Sequence, residues 1–269
     1  MRYLFSSLGK IEKIISNSTL FLLLDYDGTL TRIRKAPKSA VISPRTKNLL
    51  NDISKNGKIK LAVISGRALP DIKSKIGLRN IIYSGNHGLE ISGPKIKFKM
   101  FVPKESRKII GEIRRQLKKE FSSINGVIIE DKGFGVALHF RQVHKRQVPE
   151  VEAIFNRITG PYSSGNKIMI KPGKMVFDVR PAISWDKGKA VSMLLKLKKH
   201  LCGKKTILPV YIGDDKTDED AFSALKSKGI TVFVGKNKKT NAKYYLNNTG
   251  EVLKFLKFIL DAKKGKLYA

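Results

Sequence analysis

The stretch Leu20-Phe21-Leu22-Leu23-Leu24-Asp25-Tyr26-Asp27-Gly28-Thr29-Leu30 decides how the chain folds. Its opening run of consecutive apolar residues suits a strand buried on both faces, as in a parallel sheet covered by helices. Asp25 and Asp27 then emerge at the carboxyl end of the strand, where open α/β sheets place their ligands. Two acids at i and i+2, then a glycine that lets the chain turn, gather oxygen ligands with little bulk around one point. Such a point suits Mg2+, a hard cation that takes a few carboxylates plus substrate phosphate. A strand-to-turn junction whose aspartates merely cap local amides accounts for the same residues. The choice rests on what else reaches that edge.

Ser43-Pro44 starts a helix, with an N-cap serine and a proline at the first helical position, that runs to about Asn56 and ends at Gly57. Leu61-Ala62-Val63-Ile64 reads as a second buried strand and brings Ser65-Gly66-Arg67 to the same edge. A short helix near residues 69–76 and a third strand, Ile81-Ile82-Tyr83, lead into Ser84-Gly85-Asn86-His87-Gly88-Leu89-Glu90. Strand, helix, strand, helix, strand is the pattern of a doubly wound parallel sheet. Upstream, residues 3–15 place apolar side chains at helical spacing.

From about residue 95 the pattern changes. Strands are expected at 96–102, 127–130, 134–140, 168–170 and 174–179, with helices at 104–121 and 148–158. The parallel pattern resumes with Asp186 as N-cap of a helix to about His200. A strand at 207–212, a helix from Asp218 with Thr217 as its N-cap, a strand at 230–234 and a helix near 251–260 follow. The expected fold is α/β: a doubly wound parallel-sheet core of residues 1–94 and 183–269, with an inserted α+β domain at 95–182.

The chain carries 54 Lys and Arg against 22 Asp and Glu. Nucleic acid is the first partner such a balance suggests, but the excess forms no tail or stripe. It is spread at nearly equal density through the insert and the core, which speaks against nucleic acid binding as the main role. The scarce acids are concentrated instead, at Asp25 and Asp27 and at Asp214, Asp215, Asp218, Glu219 and Asp220. The single cysteine, Cys202, favours a reducing compartment, and no apolar run is long enough to cross a bilayer. A cytoplasmic protein with no membrane partner is expected.

Four groups converge on one sheet edge: the Asp25/Asp27 pair, Ser65, Lys187 and the acids after Tyr211-Ile212-Gly213. A lysine at a helix amino terminus works against the macrodipole unless it reaches an anion. Glu219 and Asp220 are accounted for by a helix start, whereas Asp214 and Asp215 are not. Together these residues resemble the haloacid dehalogenase (HAD) superfamily of phosphatases, whose signature is D-x-D-G-T, a Ser or Thr, a Lys and a distal acidic pair. The resemblance implies a HAD-like core with the insert as its cap domain, and phosphoryl transfer through an aspartyl phosphate. Asp25 would attack phosphorus, and Asp27 would protonate the leaving oxygen and then deprotonate water. Mg2+ would be held by Asp25, the Asp27 carbonyl and Asp214, supported by Asp215 or Asp218. Ser65 and Lys187 would offset phosphoryl charge.

In the insert, Glu130-Asp131-Lys132-Gly133-Phe134, His139-Phe140-Arg141, and Lys174 with Asp178-Val179-Arg180-Pro181 resemble the cap motifs of trehalose-6-phosphate phosphatases. Gly213–Phe222 and Gly85–Glu90 are also similar to that family's pattern. The resemblance implies trehalose 6-phosphate as substrate, with Glu130, Lys132, Lys174 and Asp178 on sugar hydroxyls. It also assigns Ser65, Gly66, Arg67, Asn86, His87, His139 and Arg141 to substrate. The family usually has Glu where this chain has Asp178. A phosphatase for sucrose phosphate or mannosyl-3-phosphoglycerate is the alternative within the class, and a non-catalytic nucleic-acid-binding protein on this scaffold the alternative outside it. A further reading pairs the phosphatase with a trehalose-phosphate synthase partner docked on the basic surface.

Overall fold

The computed structural model describes residues 1–34, 36–197, 207–235 and 239–265. Along the chain, β1 (Arg2–Tyr3), α1 (Leu8–Ser16), β2 (Thr19–Leu24), α2 (Pro44–Lys55), β3 (Ile59–Ile64), α3 (Leu69–Ile76), β4 (Ile82–Gly85), β5 (Glu90–Gly93) and β6 (Ile96–Lys99) come first. Then follow α4 (Lys104–Glu120), β7 (Ile128–Asp131), β8 (Val136–His139), α5 (Val148–Ser164), β9 (Ile168–Gly173) and β10 (Val176–Pro181). The last elements are α6 (Lys187–Lys196), β11 (Ile207–Gly213), α7 (Glu219–Leu225), β12 (Ile230–Val234), β13 (Tyr244–Leu246) and α8 (Thr249–Lys264).

Nine strands form one sheet in the order β1-β13-β12-β11-β2-β3-β4-β5-β6. Pairing is parallel from β1 through β4 and antiparallel at β4-β5 and β5-β6. The apolar run of β2 lies between β11 and β3, and its alternate side chains serve two cores. Leu20, Leu22 and Leu24 pack with Ile11, Leu50, Ile53 and Phe255 of the helices on one face. Phe21 and Leu23 pack with Val191, Leu194 and Phe222 on the other. Both faces are covered, so every position of the run is apolar. Each such side chain taken from water contributes about 1.5–3 kcal/mol.

Contacts divide the chain into two compact units. One comprises Met1–Ile33, Ala40–Lys99 and Trp185–Ala269, and the other Arg34–Ser39 and Met100–Ser184. The second unit holds the antiparallel sheet β7-β8-β10-β9 with α4 and α5. Its core gathers Ile113, Leu117, Val136, Leu138, Val151, Phe155 and Val179. Strand β6, expected inside the insert, pairs with β5 through Glu90↔Lys99 and therefore extends the large sheet.

Some local expectations fail for identifiable reasons. Tyr3 leaves the amino-terminal helix because Arg2 and Tyr3 pair with Tyr244 and Tyr245. Ser43 does cap α2, its Oγ accepting the Thr46 N–H at 3.1 Å. The helix nevertheless ends on an extended Asn56 (φ −76, ψ 117) rather than on a left-handed glycine. Helix α5 runs through Gly160-Pro161 to Ser164, where a break was expected. Asp186 caps α6, accepting the Lys189 N–H at 2.8 Å. The expected continuation to His200, and Cys202 itself, lie outside the described residues. No helix of the described residues is long and apolar enough to cross a membrane.

Candidate active site

Because β11, β2, β3 and β4 are neighbours and parallel, their carboxyl ends lie at one edge. Each end delivers one candidate segment: Asp214 after β11, Asp25 after β2, Ser65 after β3 and Asn86 after β4. Asp25 extends the β2 ladder, its N–H donating to the Ile212 carbonyl at 2.9 Å. Gly28, at φ +90, follows it, and a Cβ there would collide with the Asp214 carboxylate. Only glycine gives the chain both that backbone conformation and that close approach. A Cβ at Gly213 would likewise run into the side chain of Asp218.

Lys187 is the first residue of α6, and its buried ammonium donates to Asp25 Oδ1 at 2.6 Å and to Asp218 Oδ1 at 2.7 Å. Asp218 is fully buried and satisfied at both oxygens. Oδ1 also accepts the Tyr211 hydroxyl at 2.7 Å, and Oδ2 accepts the backbone N–H groups of Asp214 and Asp215 at 3.0 and 2.9 Å. One residue thereby fixes both the lysine and the loop that carries Asp214.

Oxygens of Asp25, Asp214 and Asp218 lie within 4.8 Å of one another, all three residues buried. Burial pushes the Asp25 carboxyl well above its usual range, against the pull of Lys187 and with the push of Asp218 and Asp214. Burial acts to lower Lys187, but Asp218 and Asp25 outweigh it and raise the lysine. Three acids crowd together with the one ammonium of Lys187 bonded to two of them, an excess of acid that a divalent cation would offset in a water-poor site. The donor set is hard oxygen throughout, so the residues fit such an ion. Asp25 and Asp214 would hold it directly, while Asp218 orients them.

Asp215, expected as a supporting ligand, has a local structural role here. It is the N-cap of the turn Lys216–Asp218, accepting the Lys216 N–H at 2.7 Å in a capping box with Asp218. Asp215, not Thr217, therefore starts this helical segment. Glu219 anchors a later loop, accepting from Thr240 Oγ1 and the Asn241 N–H.

Ser65 is buried, and its Oγ accepts the Arg67 N–H at 3.1 Å. The Ser65-Gly66-Arg67 loop is bound to the next one, because His87 N–H donates to the Ser65 carbonyl and Asn86 N–H to that of Arg67. Asn86 and His87 both adopt left-handed backbone conformations (φ 50 and 56). Such strain in non-glycine residues persists only where the surroundings fix it. The Asn86 amide donates to Glu90 at 3.2 Å. Arg67, expected on substrate, holds Asp27 instead, with Nε on Oδ2 at 2.7 Å and Nη2 on Oδ1 at 2.8 Å.

In the second unit the expected sugar-binding residues lie on neighbouring strands of its sheet. Glu130 and His139 meet at 2.8 Å. Asp178 Oδ1 accepts from Lys132 at 3.1 Å, and Oδ2 accepts from Arg180 Nε at 2.6 Å. Arg141 binds the carbonyls of Lys174 and Arg34 at 2.6 and 3.1 Å.

Sequence reasoning missed Tyr211, Asp71, Tyr26 and Arg180. The signals were present but weak. Arg180 shares a strand face with Asp178 two residues away, and Asp71 follows Arg67 by one helical turn.

The family profile described as Trehalose-phosphatase matches residues 23–249. A curated rice protein (Oryza sativa subsp. japonica) named probable trehalose-phosphate phosphatase 2 is 34% identical, over 96% of this chain and 73% of its own length. The C-terminal domain of a C. albicans trehalose-6-phosphate phosphatase shares the fold, with a TM-score of 0.80 at 24% identity over 96% of this chain and 97% of that one. So does the C-terminal domain of a Candida albicans trehalose synthase regulatory protein, with a TM-score of 0.69 at 17% identity over 93% and 97%. The likeness in sequence and the matched profile both run across nearly the whole sheet edge, and the chain belongs to the trehalose-phosphatase family.

Proposed function

We propose that the protein is a Mg2+-dependent phosphatase that hydrolyses trehalose 6-phosphate to trehalose and phosphate. The observation that carries this reading is the buried cluster of Asp25, Asp214 and Asp218 around Lys187, set at a sheet edge that the family profile spans. Asp25 attacks phosphorus and forms the aspartyl phosphate, and the bond to the sugar oxygen breaks. Asp27 delivers a proton to that oxygen, then takes one from the water that hydrolyses the intermediate. Lys187 holds Asp25 in place and, with the Ser65 hydroxyl, offsets charge on the phosphoryl oxygens. Asp25 and Asp214 would hold the cation, whose positive charge would reduce the repulsion between the Asp25 carboxylate and the phosphate.

The first unit is the phosphatase core in this reading, and the second is a specificity domain. Glu130, Lys132, His139 and Asp178 offer it charged hydrogen-bonding groups for sugar hydroxyls, with Lys174 and Arg141 beside them. Asp178 is held by Lys132 and Arg180, which suits a role in aiming Lys132 and offsets its departure from the family's glutamate. A cytoplasmic setting accords with the single cysteine, and the basic surface is the face offered to a synthase partner.

The test is phosphate release, with Mg2+ or with chelator, from trehalose 6-phosphate, sucrose 6-phosphate, mannosyl-3-phosphoglycerate and an aryl phosphate. Preference for trehalose 6-phosphate that vanishes with chelator supports the reading. Equal rates on all four would leave a phosphatase without this specificity. A chain that turns over none of them would match the regulatory relative in fold and not the enzyme.

A further inference from the structure

Arg67 is held from several sides. Its backbone N–H donates to Ser65 Oγ, and its carbonyl accepts the Asn86 N–H. The guanidinium lies over the Tyr26 ring, 5.4 Å from the centroid. Its Nη1 donates to Asp71 Oδ2 at 2.8 Å, while Nε and Nη2 take both oxygens of Asp27. Arg67 is nearly buried, whereas Asp27 and Asp71 keep about two-fifths of their side-chain surface in solvent. One buried cation thus serves two half-exposed anions.

This arrangement conflicts with the role of Asp27 as proton donor and acceptor. A proton cannot sit on a lone pair that already accepts an N–H, and both inner lone pairs of Asp27 are taken by Arg67, so Asp27 turns off Arg67 to carry its proton to the leaving oxygen. Two parallel N–H···O bonds to an ion are among the strongest side-chain contacts, and an unshared pair would slow that turn. Asp71 relieves it in two ways: its like charge opposes that of Asp27 across the shared guanidinium, and it keeps the buried cation paired when Asp27 departs.

We propose that Arg67 and Asp71 form a latch that parks Asp27, with Asp71 as the positioning residue that keeps the latch weak enough to open. The inference rests on the assignment of Asp27 as acid and base in the proposed function.

The experiment compares kcat and KM for trehalose 6-phosphate and p-nitrophenyl phosphate in the full chain with Mg2+. A sugar oxygen needs a proton to leave, whereas nitrophenolate departs without one. Asp71→Asn, which keeps the shape and drops the charge, is expected to lower the ratio of the two kcat/KM values about tenfold. The loss should fall in kcat for trehalose 6-phosphate and not in KM, and Asp71→Glu should restore it. If Asp71→Asn leaves the ratio unchanged, or depresses both substrates in parallel, the latch is wrong. Asp27→Asn separates the two failures. A lowered ratio there keeps the acid–base assignment whatever Asp71 does, and an unchanged ratio removes the assignment and the latch together.

Discussion

The two charged clusters of this protein are built with opposite balances. At the edge of the large sheet, three buried carboxylates lie together and one ammonium serves two of them, Asp25 and Asp218. In the second unit, one carboxylate, Asp178, takes both Lys132 and Arg180. The first cluster is short of positive charge and fits a cation. The second already has more than it needs and can donate hydrogen bonds to neutral hydroxyls. The difference separates a place built for a charged reaction from one built for recognition, though both use Asp and Lys.

The sharpest way to break this contrast is Asp25→Asn. Loss of the nucleophile should reduce phosphate release by a thousandfold or more, on the order seen when covalent catalysts are removed. Substitutions in the Lys132–Asp178–Arg180 group should mainly raise KM. A variant that stays active with Asn at position 25 would deny the first cluster its role.

The lysines test the same contrast through stability. Lys187→Met takes the ammonium from two buried acids, Asp25 and Asp218, and should cost about 3–5 kcal/mol in denaturant unfolding without metal. Lys132→Met leaves Asp178 on Arg180 and should cost less, about 1–3 kcal/mol. Equal costs would show that the charge balance is not what distinguishes the clusters.

A titration sharpens the point. The Asp25 carboxyl is held above its usual range, so the folded state binds that proton more tightly than the unfolded one. Its contribution is present below the unfolded value, about 4, and is lost as pH rises through the raised folded value. In chelator, the stability of the wild type relative to Asp25→Asn should therefore fall with rising pH. A saturating divalent cation should flatten the slope. The smallest expected change is Tyr211→Phe, which removes one of four contacts on Asp218. A loss of about 1 kcal/mol is expected in the same unfolding assay, with the fold intact.

Much of this was legible in the chain. The run before Asp25 gave away a strand covered on both faces, and Ser43-Pro44 and Asp186 marked helix starts that the structure places within a residue. The short strands β1 and β13 were not legible, because two or three residues become a strand only through the neighbour they pair with. Nor was the continuation of α5 through Pro161, where tertiary packing overrides a local breaker. In the site, the residue types were readable and their partners were not. Nothing in the sequence says that the Arg67 side chain turns back to Asp27. Nor does it say that Asp215 caps the turn Lys216–Asp218, which only the backbone shows.

The position of β2 has a consequence for how the protein is made. One side of that strand pairs with β3, only 35 to 40 residues later, but the other waits for β11, where Leu24 meets Ile212. At ribosomal speeds of 5–20 residues per second, that gap is roughly 10 to 40 s. Throughout it the most apolar strand of the nascent chain has an open edge, which is the form most prone to pair with the wrong neighbour. The strand that carries Asp25 is thus completed late, and the site is not assembled until Asp214 and Asp218 have left the ribosome.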